Sequence, residues 1–289
     1  METQELRGEP LAARVRAEVR AAADAFRAKG VAPRLAAVVT ESDPGVMGYA
    51  ELKARAASAL GVTFDLVLLP AGAGQEKLEA TLDELGANPA IHGIVLELPL
   101  ARGLDTGRAL DRIPPVKDVD GLTPRNLGLL YMNREREALV AATAQACVAL
   151  AESVLPLAGV RSLAGVRVGV VGKGRTVGAP LIGLLLNRGA VPVVCHSRTP
   201  DLGAALRDCD VVFAAAGKPG LLGRRELREG QVVIDAGTTI VDGRLRGDVD
   251  AASARGLVRA LSPVPAGVGP LTTAIIFRNL IQAVRMQGA

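Results

Sequence analysis

The chain has 289 residues, 49% of them apolar and 22% charged, with a net charge of +4. These values suit a folded globular protein of one large or two smaller domains. Six aromatics and the lack of any Lys/Arg run argue against a nucleic-acid arm or stacking platform, and the mild positive charge suits small anionic ligands.

Cys147, Cys195 and Cys209 are scattered, odd in number and without a C-x-x-C pair. They are expected to be reduced cytosolic thiols, with no disulfide frame and no metal site. The polar N-terminus and the absence of an 18-residue apolar run lead us to expect a cytoplasmic protein with neither leader nor membrane span. Only six of the 34 basic residues are lysines. A lysine in a cleft therefore draws interest, because it alone of the two basic types readily loses its proton.

Residues 9–29 have helical periodicity, with Leu11, Val15, Val19, Ala22 and Phe26 on one stripe, and Gly30 closes that helix. A strand is predicted over 35–40, a helix over 44–60 and a strand over 62–69. A helix over 75–85, a strand over 91–98 and a helix over 104–113 follow. This alternation predicts a parallel, helix-covered sheet. Residues 114–142 interrupt it with Pro, Asp, Asn and Gly, as a functional loop or domain junction would. A helix then spans 143–155. Strands follow near 166–171, 191–195, 210–214, 231–235 and 257–261, and a last helix over 269–286 is expected to return to the first domain. The fold class is thus α/β with two domains: residues 1–140 joined by helix 270–289, and a Rossmann-like unit over 141–269.

The strand entering that second unit runs into Gly172-Lys-Gly174-Arg-Thr-Val-Gly178. Gly172 and Gly174 permit a tight turn and close approach to phosphate. Gly178 lets the next helix pack against the strand, and that helix's N-terminus offers N–H donors. The G-x-G-x-x-x-G spacing is one residue longer than the usual dinucleotide fingerprint. The next strand ends in Cys195-His-Ser-Arg-Thr199, with no acid for a ribose 2′-hydroxyl. Ser197, Arg198 and Lys173 can instead meet a 2′-phosphate, so NADP is expected rather than NAD. A merely solvated basic strand end would look similar.

Three further groups could carry chemistry. Tyr49 and Lys53 share one helix face, as a ligand-stacking pair or as a plain surface pair. Glu97 ends an apolar strand, where open α/β sheets place ligands, or where a solvated strand end would lie. Asp118 and Asp120 flank a turn that either acid could serve structurally. The Pro/Gly loop 262–270 enters the last helix and could face a ligand or act as a hinge.

Taken together these segments resemble the methylenetetrahydrofolate dehydrogenase/methenyltetrahydrofolate cyclohydrolase family. The match rests on Tyr49-x-x-x-Lys53, Leu98-Pro99-Leu100, Lys117-Asp-Val-Asp-Gly121, the glycine turn through Pro180, Cys195–Thr199, Gly217-Lys-Pro-Gly220, Gly247-Asp-Val249, Pro263-Val-Pro265 and Gly267-Val-Gly-Pro270. The resemblance implies a homodimer with an interdomain cleft, tetrahydrofolate derivatives as substrates and NADP as cofactor. It places the folate on Tyr49, with Lys53, Glu97 and Asp120 near the reacting atoms and Leu98, Pro99, Pro265, Gly269 and Pro270 lining the substrate site. Gly172, Lys173, Gly174, Val177, Gly178, Ser197, Arg198 and Thr238 would hold the cofactor. Two alternatives stand beside it: a shikimate-dehydrogenase type of NADP enzyme, and a non-catalytic NADP- or folate-binding relative.

The chain departs from the family pattern at several points. Glu97 stands where Gln is expected, Ala141-Ala-Thr-Ala144 where Pro-Cys-Thr-Pro is expected, and Val46-Met47 where Ser-Gln is expected. Lys173 replaces an arginine, and Ala236-Gly-Thr-Thr-Ile240 differs from the usual segment. Glu97 beside Lys53 would favour the ammonium form. The expected outcome is retained dehydrogenase activity and weakened cyclohydrolase activity.

Overall fold

The computed structural model describes residues 2–40, 44–155 and 161–288. In chain order the first elements are β1 (Gln4–Glu5), α1 (Glu9–Ala28), β2 (Arg34–Val39), α2 (Pro44–Leu60), β3 (Thr63–Leu68), α3 (Gln75–Ala87) and β4 (Gly93–Leu96). Then come α4 (Thr106–Leu110), α5 (Pro124–Tyr131), a 3₁₀ turn (Glu135–Glu137) and α6 (Ala142–Glu152). The rest comprises β5 (Arg167–Val171), α7 (Gly178–Asn187), β6 (Val191–Cys195), α8 (Leu202–Leu206), β7 (Val211–Ala214) and β8 (Val232–Asp235). The chain ends with the hairpin β9 (Thr239–Val241) and β10 (Arg244–Arg246), then α9 (Ala251–Ala254), β11 (Ala260–Leu261) and α10 (Val268–Met286).

These elements form two compact units. The first comprises the described residues of 13–142 with those from Thr273 onward. Its sheet has the parallel order β3-β2-β4. β2 and β4 are apolar runs buried along nearly their whole length, as expected of strands covered on both faces. The loop expected over 114–142 contains α5, which an eight-residue length and flanking Pro and Asn concealed. It is knitted by buried polar side chains. Asn126 Nδ2 donates to Pro115 O and to Asp118 Oδ2, both at 2.9 Å, while its Oδ1 accepts from Leu139 N. Asn279 on α10 donates to Val119 O and Val140 O, both at 2.9 Å. Lys117 belongs to this frame too, since its ammonium donates to Gly86 O and Asn88 O at the C-terminus of α3.

The second unit comprises the described residues up to Ala12 and those of 143–272. Its six strands are all parallel in the order β1-β11-β8-β7-β5-β6. Val171, Cys195, Leu206, Val212, Ala214, Leu222 and Val233 form the core of one face. Two sequence expectations need correction. Residues 2–12, placed with the N-terminal domain, pack in this unit because β1 pairs with β11 and Thr3 Oγ1 donates to Val258 O. On α1 the most deeply buried stripe is Ala12, Val15, Val19, Ala23 and Phe26. Leu11 and Ala22 are only half-buried at its margin.

Candidate functional site

The C-terminal end of β4 and one face of α2 build the first cluster. Glu97 follows β4 directly, and its backbone N–H still donates to Val38 O, so its side chain is held at the strand end. Lys53 lies one turn after Tyr49 on α2. Its Nζ donates to both Glu97 oxygens, at 2.8 and 2.9 Å, and both side chains are buried. Two of the three ammonium donors are thereby engaged. The Tyr49 ring is partly exposed, with its centroid 6.0 Å from Nζ, at the outer limit of a cation–π contact.

The two acids of the 117–121 run part company. Asp118 is fully buried and accepts from the backbone N–H groups of Gly121, Leu122 and Thr123 and from Asn126 Nδ2, so it builds the turn. Gly121 takes a φ of +75°, and a Cβ there would lie 2.4 Å from Ala141 N. Asp120 keeps partial solvent contact and has no hydrogen-bond donor on its carboxyl among the described residues. The protein packed around it removes hydration and raises its pKa to about 7. Asp118 and Glu97 add to that shift, and Lys53 opposes it. Its backbone carbonyl accepts from Ala142 N, so the 141–142 segment supports Asp120 through main chain that alanine preserves.

Leu98 and Pro99 follow Glu97 on the same strand end, Leu98 half-buried and Pro99 exposed. Ala101 N donates to Thr40 Oγ1, tying this segment to the end of β2. Val46 is buried against Val39 and Ala50, with Met47 packed on them. The apolar pair at 46–47 therefore extends a small core.

The glycine turn lies in the other unit. Gly172 has a φ of +108°, and a Cβ there would lie 2.1 Å from Ala215 O. A Cβ on Gly178 would lie 2.1 Å from Gly172 O, so α7 starts in direct contact with the turn. A Cβ on Gly174 would meet nothing, which leaves that backbone open to a ligand. Gly172 N donates to Cys195 O, holding the ends of β5 and β6 together. At the end of β6 the 196–199 turn closes on itself: His196 N donates to Thr199 Oγ1, and Arg198 N to His196 Nδ1. Ser197 and Arg198 are exposed on that turn, as are Lys173 and Thr238, while Val177 is half-buried. A phosphate-accepting cradle with no acid at the second strand end fits a 2′-phosphorylated dinucleotide. Pro265, Gly269 and Pro270 lie in this unit, around the start of α10.

One pair of residues had escaped the sequence reading. Asp235, at the end of β8, accepts from Gly237 N, Asp248 N and Val249 N. Asp248 accepts from Ala216 N and Gly217 N. Burial is the main cause that raises the Asp235 pKa to about 6, and these backbone donors partly offset it. The pair anchors the loops after β7 and β8. Its sequence signal was an Asp ending an apolar strand and another in Gly247-Asp-Val249.

Residues 6–120 match the model of the tetrahydrofolate dehydrogenase/cyclohydrolase catalytic domain, and residues 141–288 match that family's NAD(P)-binding domain. The chain belongs to the tetrahydrofolate dehydrogenase/cyclohydrolase family. It is 45% identical to a bifunctional protein FolD of Deinococcus radiodurans, over 99% of this chain and 94% of that one. Identity to the FolD protein of Heliobacterium modesticaldum is 42%, over 100% and 98%. Among solved structures, the Trypanosoma brucei methylenetetrahydrofolate dehydrogenase-cyclohydrolase, complexed with NADP and an inhibitor, aligns with a TM-score of 0.88. That match is 35% identical and covers 99% of this chain and 98% of the other. Membership of the dehydrogenase/cyclohydrolase family sets aside the shikimate-type alternative.

In this family member Asp120 gives a measurable signature of its crowding. Its folded pKa lies above the ordinary 3.8, so ionisation opposes folding, and stability falls as pH rises from about 4 to about 7. Asp120→Asn mimics the protonated form. Its gain in Tm over the wild type should grow across that interval and level off above it, as read by thermal unfolding at several pH values. A gain that is flat with pH would refute the assignment.

Proposed function

We propose that the chain oxidises 5,10-methylenetetrahydrofolate to 5,10-methenyltetrahydrofolate with NADP, and hydrolyses that product to 10-formyltetrahydrofolate less effectively. The closed Lys53–Glu97 pair beside Asp120 carries this reading. Bound NADP supplies the hydride acceptor. Gly172, Gly174 and Gly178 would shape its pyrophosphate seat, Lys173, Ser197 and Arg198 would meet its 2′-phosphate, and Val177 and Thr238 would flank it.

Tyr49 offers an exposed ring face on which a pterin can stack. Leu98, Pro99, Pro265, Gly269 and Pro270 would complete the substrate site. Oxidation of the one-carbon bridge creates a cationic amidinium, which carboxylates stabilise without moving a proton. Glu97 is already neutralised by Lys53, so Asp120 is left to face that charge. Water addition to the amidinium does require proton transfer. Two Lys53 donors are held by Glu97 in charge-assisted hydrogen bonds, so Lys53 is poorly placed to assist, which is why the hydrolytic step is the weaker one.

We also infer a cytoplasmic homodimer. The cysteines are unpaired and buried, and no described helix is long and apolar enough to cross a membrane. β6 is an edge strand that exposes Val191 and Val194, and Leu186 of α7 is exposed as well, as an interface would require.

On one preparation, NADP reduction with methylenetetrahydrofolate should be robust and cofactor-free loss of methenyltetrahydrofolate slow. Glu97→Gln should raise the second rate roughly tenfold or more by releasing Lys53. Wild-type hydrolysis as fast as oxidation would sink this account. Arg198→Ala should raise the KM for NADP about tenfold while sparing that for NAD, because one charge-assisted contact is lost. Equal effects on both cofactors would exclude a 2′-phosphate contact. Sedimentation velocity should give about twice the 29.8 kDa chain mass, and a monomer at micromolar concentration would rule out the dimer.

A further inference from the structure

We propose that in this chain Asp120, rather than Lys53, takes the proton from the attacking water in the hydrolytic step; the inference rests on the folate reading above. Four ionisable groups meet here, and three are committed. Lys53, from α2, has two donors fixed on Glu97. Glu97, at the end of β4, has both oxygens on that ammonium. Asp118, in the same loop as Asp120, is buried under four donors. Of the four, Asp120 alone combines a carboxyl without hydrogen-bond donors among the described residues and partial access to solvent. Its pKa of about 7 lets it both accept and return a proton near neutral pH.

The step balances. The water oxygen bonds to the amidinium carbon while one of its protons passes to the Asp120 carboxylate, giving a neutral carbinolamine. One carbon–nitrogen bond then breaks as the Asp120 acid returns its proton to the departing nitrogen. The carbinol hydroxyl loses its proton to solvent and becomes the formyl carbonyl. The net change is cation plus water to neutral formyl product plus one proton.

The test is the pH profile of kcat for methenyltetrahydrofolate hydrolysis by the full chain, with NADP-dependent oxidation followed on the same preparations. The wild type should lose hydrolysis as pH falls through an inflection near neutrality. Asp120→Asn should lower kcat for hydrolysis on the order of 10²-fold and erase the inflection. Asp120→Glu should restore part of the rate together with the inflection. Lys53→Arg, whose guanidinium cannot give up a proton, should keep the inflection. The proposal is overturned if Asp120→Asn keeps the inflection, if Lys53→Arg abolishes hydrolysis while oxidation continues, or if the wild type oxidises and never hydrolyses. Failure of the wild type to oxidise methylenetetrahydrofolate would overturn the folate reading itself.

Discussion

The unit built on the β3-β2-β4 sheet depends on one buried carboxylate. Asp118 gathers three consecutive backbone N–H groups and the Asn126 amide. Without it those donors would be buried and unmatched, each at a cost of about 1–3 kcal/mol. With it, the chain turns sharply enough for Gly121 to lie on the 140–141 backbone and for the Asp120 carbonyl to receive Ala142 N. Asp118 thus sets the position of the acid two residues on. Asn279 and Lys117 extend the same arrangement by satisfying carbonyls of the long loop and of the α3 terminus.

The site built on that frame is electrostatically costly. Lys53 and Glu97 are both removed from water, and pairing compensates for a desolvation that apolar residues would avoid. Asp120 has no hydrogen-bond donor among the described residues, and the Lys53 charge only partly offsets its burial. Such local disadvantage is expected where chemistry is done, because a fold tolerates it only if the surroundings are rigid. Glu97 adds a carboxylate to this group and takes two of the Lys53 donors.

Much of this was legible in the residues. β2, β4, β5 and β7 read as strands because burial on both faces makes them unbroken apolar runs. The glycine turn was legible because the steric demands at 172 and 178 admit no Cβ. What stayed hidden depended on distant partners. Asp118 and Asp120 have the same side chain in the same local pattern, and only the positions of the turn donors and of Lys53 tell them apart. β1 has two residues and no meaning without β11. At two positions the buried stripe on α1 lies one residue later than expected, at Ala12 and Ala23, because alanines lie on every side of that helix and blur its apolar face.

The pairing of β1 with β11 has a consequence for how the molecule is made. Gln4 and Ala260 are neighbours in one sheet but are synthesised at opposite ends of translation. The other unit is in the same position, since Val119 and Val140 await the amide of Asn279. One unit lacks a strand partner until β11 is made, and the other lacks the amide that caps its long loop until Asn279 is made. The nascent chain therefore carries two unfinished hydrophobic cores through most of its synthesis, and contacts this distant in sequence are slow to form and leave apolar surface exposed meanwhile.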